Sequence, residues 1–207
     1  MAMDVNSADK WEADYLRGTD GWDLGEPNPV FSNLLANRGL PPGKILVVCA
    51  GRGHDAREFA RHGYKVTAVD FSPFAAQEMG RLADPGTQLE VLQQDLFTLP
   101  HELDGTFDYV LEYTCYCAID PKRRTEFVDL VARLLRPGGI YISLAFPLTQ
   151  QKGGPPFAVT VSELLHLFQA RGFQLIEREK PTDSVPRRRG AEELFLFQKK
   201  IPTTPRH

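Results

Sequence analysis

The chain has 207 residues, of which 42% are hydrophobic and 25% charged, and its net charge is −3. That length suits one buried core, so a single domain over 1–207 is expected. A mildly acidic chain lacks the basic face that phosphate neutralisation needs, and no apolar run approaches the roughly 20 residues that cross a bilayer, so neither nucleic acid nor a membrane is expected as a partner.

Asn6 to Arg17 reads as a helix that carries Trp11 and Tyr15 on one face. Gly18 to Pro29 is a Gly-, Pro- and Asp-rich loop holding Trp22. Val30 to Arg38 is helical by pattern and stops at Gly39, with Pro41-Pro42 beyond. A first strand begins at Lys44, a helix covers Asp55 to His62, and a second apolar strand closes on Asp70. The next helix starts near Pro73 behind the cap Ser72 and ends before Asp84-Pro85-Gly86. Short strands follow at Leu89–Leu92, leading to Asp95, and at Phe107–Tyr113. Pro121 to Leu135 has helical periodicity, which Pro137-Gly138-Gly139 stops before a strand at Ile140–Phe146. Thr160 to Arg171 is a helix, and Phe173–Arg178 and Glu193–Gln198 are the last strands. Alternating strands and helices predict a mostly parallel sheet covered on both faces. The irregular Lys180–Ala191 connection cannot be a crossover helix, so the last strand is expected to run antiparallel. Seven strands in this pattern make an α/β, Rossmann-like sheet of the class I methyltransferase type, whose ligands bind at the carboxyl ends of the strands.

Ile45–Val48, the turn Ala50-Gly51-Arg52-Gly53, a helix and a strand ending at Asp70 form a nucleotide-binding βαβ unit. The turn departs from the dinucleotide pattern: no third glycine stands near Ala56, and Asp55 in the first helical turn repels a pyrophosphate. S-adenosylmethionine has no phosphate and carries an ammonium and a sulfonium, so the turn favours it over a nicotinamide dinucleotide or a plain βα turn. Asp70 can accept both ribose hydroxyls with Phe71 beside it, Asp95 the adenine amino group, and the Leu96 N–H can reach a ring nitrogen; helix capping is the alternative for each acid. Glu112, Tyr113 and Thr114 end the fourth strand. Cys49, Cys115 and Cys117 lie in or beside apolar segments and read as buried reduced thiols of a cytoplasmic protein, behind an N-terminus too polar for a signal peptide. Their spacing predicts no metal site.

Trp11-x3-Tyr15-x6-Trp22, GxGHD at Gly51–Asp55, QDLFTLP at Gln94–Pro100, CAIDPxxR at Cys117–Arg124, GGPPF at Gly153–Phe157 and VPRRRGAEEL at Val185–Leu194 resemble the thiopurine S-methyltransferase superfamily, and most of all its halide and thiol methyltransferase branch. The resemblance covers nearly the whole chain. It implies that residues 1–42 form an N-terminal helical cap over the cofactor, with Trp11, Tyr15 and Trp22 as its aromatic wall; packing of the N-terminal helix is the alternative for those three. Cys49, Gly51, Gly53, Asp70, Phe71, Asp95, Leu96, Glu112 and Tyr113 would complete the cofactor shell. Cys49 stands where the family has a glycine, Tyr15 where it often has tryptophan, and Phe157 where plant members often have tyrosine. The implied reaction is in-line methyl transfer to a small soft nucleophile, namely a thiol or bisulfide, thiocyanate, a halide or a thiopurine. An anion of that kind needs alignment and dryness rather than a base. Arg187 or Arg188, in the run that includes Arg189, would hold the substrate, with a solvated loop as the alternative for that run; Tyr116 and Phe157 would wall it, and Glu112 would meet either the cofactor ammonium or a substrate proton. His54 and His166 could serve as bases in principle, but His54 reads as a structural or cofactor-loop residue and His166 as a mid-helix surface residue. The alternatives are a metalloid oxyanion or oxygen acceptor, a nicotinamide dehydrogenase, and a non-catalytic S-adenosylmethionine-binding protein. No Asn/Asp-Pro-Pro-aromatic motif follows strand four, which argues against an N-methyltransferase. The expected partner is a small-molecule or anionic substrate, and the expected assembly a monomer or weak dimer.

Overall fold

The computed structural model describes residues 4–149 and 151–202; the outer ends of the expected 1–207 span, with the first residues of the expected 1–42 cap, lie outside them. Two helices come first, α1 (Ala8–Arg17) and α2 (Pro29–Asn37). The βαβ unit is β1 (Lys44–Val48), α3 (His54–Arg61) and β2 (Lys65–Asp70), followed by α4 (Pro73–Arg81) and β3 (Leu89–Gln93). Then come β4 (Phe107–Tyr113), α5 (Arg124–Leu134), β5 (Leu135–Ala145), α6 (Val161–Ala170), β6 (Phe173–Glu179) and β7 (Glu193–Lys199). The helices start where the sequence offers caps. Ser7, Asn28, Ser72 and Thr160 each accept a backbone N–H of the helix they precede, and Pro29 and Pro73 occupy first-turn positions that need no donor.

The sheet has seven strands in the order β3-β2-β1-β4-β5-β7-β6. β7 inserts between β5 and β6 and runs antiparallel to both, while the remaining pairs are parallel. Side chains alternate faces along each strand. Ile45 and Val47 of β1 pack with Phe31, Phe59 and Met79 on one face, and Leu46 and Val48 share the other with Phe127, Val131 and Phe168. Helices therefore cover both faces.

One boundary differs from expectation. Pro137-Gly138-Gly139 does not precede the fifth strand but lies inside it, where the register with β4 slips between Phe107 and Tyr109. A Cβ on Gly139 would stand 2.9 Å from the Arg136 carbonyl oxygen and 3.1 Å from that of Asp108. Only glycine fits this close approach, so the motif that resembles a helix stop builds a β-bulge. Leu96–Thr98 and His101–Leu103, with no counterpart in the predicted elements, are single turns of 3₁₀ helix.

Candidate functional site

The parallel register sets Val48 of β1 beside Val69 of β2 and Glu112 of β4, so the turns after these strands emerge side by side at one edge of the sheet. The Ala50–Gly53 turn is held by backbone bonds from Ala50 N to Val69 O (3.0 Å) and Gly53 N to Ala50 O (2.9 Å). Asp70 completes it: its buried carboxylate accepts the Gly51 N–H at 2.9 Å and the Ser72 N–H at 3.0 Å. Desolvation raises its pKa against the pull of those two donors. A carboxylate has about four acceptor positions, so capacity remains. Gly53 caps α3 at φ 72, and a Cβ there would lie 2.5 Å from Met79. Gly53 thus shapes the turn and does not line the cavities beside it.

Three adjoining cavities open at these strand ends. The first, about 80 Å³, lies among Asp70, Phe71, Asp95, Leu96, Phe97 and Arg123. The second, about 60 Å³, lies among Asp23, Ala50, Gly51, Arg52, His54 and Tyr113. The third, about 460 Å³, is walled by Phe146, Pro155 and Pro156 and carries Arg187 and Arg188. Trp22 and Thr114 line all three, Tyr15 and Cys49 the first and second, and Trp11 the first and third.

The N-terminal segment is pinned beside these cavities. Glu12 accepts hydrogen bonds from Ser72 Oγ and Phe74 N at the start of α4. Trp22 meets Trp11 and Tyr15 edge-on at 5.3 Å and 5.4 Å, and its Nε1 donates to Tyr15 Oη at 3.2 Å. Arg52 bonds to both Asp20 and Asp23, and His54 Nε2 lies 3.2 Å from Asp23. Partial burial works against ionisation of Asp23, but His54, the Gly25 N–H and Arg52 hold it well below the usual carboxylate range. Burial pushes the Asp55 carboxyl the other way, up to about 6, although it accepts the Asn28 N–H at 2.7 Å.

Several expected site residues stand elsewhere. Glu112 is 1% exposed, accepts from Ser143 Oγ and from Tyr116 N (3.1 Å), and closes the turn after β4. Burial raises its pKa, and it lines none of the three cavities. Tyr116 is turned into the core, 5.7 Å from Phe127 and under Arg124. Phe157 hydrogen-bonds through its N–H to the Cys117 carbonyl at 2.7 Å and folds its ring against Gly154, leaving Phe146, Pro155 and Pro156 as the apolar wall. These three were expected at strand or loop ends near the site; Glu112 and Tyr116 are turned inward, and the half-buried Phe157 ring lies against Gly154. Asp95 does cap the 3₁₀ turn, through the Phe97 N–H at 2.9 Å, while also facing the first cavity.

The arginine run divides. Arg187 is exposed and donates to the Asp23 carbonyl at 3.2 Å. Arg188 is 4% exposed, donates to the Trp22 carbonyl at 2.9 Å, and lies between the rings of Tyr113 and Phe146 at 4.9 Å and 5.0 Å. Among the described residues its Nη1 has no partner. Cys49 and Cys115 are not reduced thiols but form a disulfide, their Cα atoms 5.5 Å apart; only Cys117 is free. Thr114 and Arg52 were missed from the sequence. A threonine and one arginine in a glycine turn carry no signal of their own, though the acid-rich Asp20–Asp23 stretch offered Arg52 partners.

The chain is similar to proteins already known. The chain matches the family described as thiopurine S-methyltransferase over residues 6–207. A probable thiol methyltransferase 2 of Arabidopsis thaliana is 34% identical over 200 residues, covering 95% of this chain and 88% of that protein. Thiocyanate methyltransferase 1 of Brassica oleracea is 31% identical over 193 residues, covering 91% and 84%. Among solved structures, the 1,6-didemethyltoxoflavin-N1-methyltransferase of Burkholderia thailandensis, with bound 1,6-didemethyltoxoflavin and S-adenosylhomocysteine, superposes with a TM-score of 0.73 at 24% identity over 94% of this chain and 87% of that one. A strand-end site on a sheet of this order, and a family match running from Asn6 through both the aromatic segment and the arginine run, lead to one conclusion: the chain belongs to the thiopurine S-methyltransferase family and is an S-adenosylmethionine-dependent methyltransferase.

Proposed function

We propose that this protein methylates a small soft nucleophile, a thiol or a thiocyanate-like anion, and that the three cavities divide the work. The observation that carries this is their convergence on Trp22 and Thr114. One molecule can lie across the first two cavities, and a second can reach it from the third.

The residues suit the cofactor. Asp70 offers a carboxylate to the ribose, and Asp95 and Leu96 offer an acceptor and a donor to the adenine, in the first cavity. Arg52, which already holds two carboxylates, can take a third from the amino-acid part in the second. Trp11, Tyr15 and Trp22 present ring faces and edges around the junction, and a cation held by such rings gains about 0.5–2 kcal/mol per contact. The described part of the expected 1–42 cap, from residue 4 on, closes the cofactor in. Bound there, S-adenosylmethionine supplies an electrophilic methyl on a sulfonium.

The protein's part is to align the acceptor and keep it dry. Phe146, Pro155 and Pro156 give the acceptor cavity an apolar wall, and such a wall suits a soft, weakly hydrated anion. Arg188 stands in that cavity with a free Nη1, held flat between two rings, so it can orient an anion or lower the pKa of a neutral thiol. No side chain is needed as a base for an acceptor that is already an anion. Alignment in such a site contributes several kcal/mol, of a possible 7–11 or so.

The test is a headspace mass-spectrometric assay with methyl-labelled S-adenosylmethionine and, separately, bisulfide, thiocyanate, iodide, a small thiol, a thiopurine and selenite. Labelled product from a sulfur or pseudohalide acceptor is expected. Product from selenite alone, or from none of them, would overturn the acceptor class.

A further inference from the structure

The disulfide occupies an informative place. Cys49 follows β1 and Cys115 follows β4, on neighbouring strands, and the bridge joins positions 66 residues apart. The Cα separation of 5.5 Å lies within the range a disulfide spans. Cys49 and the neighbour of Cys115 sit in backbone that side chains seldom adopt: Cys49 has φ 48, and Thr114 has φ 58. Cys49 lines the first and second cavities and Cys115 the first, so the bridge lies at the waist between them. Those two cavities are narrow, at about 80 and 60 Å³, whereas the third, which neither bridge cysteine lines, has about 460 Å³.

Resting on the methyl-transfer function proposed above, we infer that Cys49–Cys115 is a redox-active site on the cofactor's seat. Bridged, it narrows the waist against S-adenosylmethionine; reduced by a small thiol, it opens. The reductant is of the same chemical class as the proposed acceptor, so a thiol would prepare the enzyme that methylates it.

The exchange balances. A thiolate attacks Sγ of Cys49, the half of the bridge that is partly exposed, whereas Cys115 is fully buried. The S–S bond breaks, and its electron pair leaves on Cys115, which takes a proton from water. A second thiolate attacks the outer sulfur of the mixed disulfide. The small disulfide departs, and Cys49 leaves as a thiolate and is protonated. Two electrons have passed from two thiols to the bridge. In the reverse direction hydrogen peroxide takes two electrons and two protons from the two cysteines and becomes two waters. Cys117 stands apart: it is 2% exposed, its Sγ donates to the Thr114 carbonyl at 3.4 Å, and burial pushes its thiol up to about 12.

The experiment uses the full-length protein, one portion treated with dithiothreitol and one with hydrogen peroxide, each then freed of reagent. Thiol titration after denaturation should find all three cysteines free in the first and one in the second. Calorimetry with S-adenosylhomocysteine should give a Kd at least tenfold weaker for the oxidised form, restored by 2-mercaptoethanol. In Cys115→Ser the two treatments should give the same Kd. Three free thiols after peroxide, or equal Kd values for the two wild-type forms, would overturn the redox site and leave the cofactor's placement intact. Binding by neither form would overturn that placement, and the redox site with it. The wild-type comparison decides the matter even if Cys115→Ser fails to fold.

Discussion

The first two cavities and the third are built by different means. The first two stand on the ends of parallel strands, and their fixed points include backbone groups: the Gly51 and Ser72 N–H groups converge on Asp70, and the Phe97 N–H on Asp95. The third takes its walls from outside the sheet: Trp11 and Trp22 from the N-terminal segment, Phe146, Pro155 and Pro156 from the chain after β5, and Arg187 and Arg188 from the β6–β7 connection. A half made of strand ends is as rigid as the sheet and tolerates little change. A half made of connections can change its side chains while the sheet keeps its packing, which is where selectivity is free to vary.

The widest separation of the two halves should come from Asp70→Ala. On the proposed placement it removes two charge-assisted bonds to the ribose at roughly 1.5–3 kcal/mol each, so the Kd for S-adenosylhomocysteine should rise about a hundredfold or more by calorimetry. An unchanged Kd would remove Asp70 from the cofactor half. Arg188→Met is the mirror experiment. It keeps the apolar stem between Tyr113 and Phe146 and deletes the charge. The kcat/KM for an anionic acceptor should fall by 10-fold to 100-fold, equivalent to about 1.5–3 kcal/mol, with cofactor Kd altered far less. Equal losses in both would mean that the two halves are not separable.

Asp55 tests the rigidity of the strand-end half through pH. Its folded pKa, about 6, lies above the ordinary carboxylate value of 3.8. The stability that this group carries is therefore present below about pH 4 and is lost as pH rises through about 6. Asp55→Asn keeps an acceptor for the Asn28 N–H and removes the titration. Its melting temperature should match the wild type near pH 4 and exceed it at pH 7, by an amount worth about 3 kcal/mol. A difference that stays constant with pH would show that Asp55 is not the group responsible. The smallest effect belongs to Arg187→Ala: an exposed cation on the third cavity should change acceptor KM by less than about threefold. A loss as large as that of Arg188→Met would reverse the assignment of the two arginines.

The same division explains what the sequence revealed. Strand ends read well because the signals are local: an apolar run, a small-residue turn and a terminal acid put Gly51, Asp70, Asp95 and Leu96 at adjoining positions. Glu112 carried an equal signal, an acid closing a strand, yet it is buried on Ser143 and Tyr116 N. Its position in the pleat decides this, and pleat phase against a three-dimensional partner is not written in a single run of residues. Tyr116 and Phe157 failed for the same reason, because loop path sets which face a side chain meets. Pro137-Gly138-Gly139 looked like a helix stop because proline and glycine end helices; the β4 neighbour turned it into a bulge. The cysteines show the limit most plainly, since partners 66 residues apart leave no local trace of their meeting.

The aromatic cluster has a practical consequence. The chain has two tryptophans, and both line these cavities with their rings 5.3 Å apart. All of its indole fluorescence therefore originates within the site, beside Arg188 and the disulfide, itself a quencher of excited indole. Emission intensity and wavelength should report occupancy without any label, and the unmodified protein is its own sensor for whichever acceptor it takes.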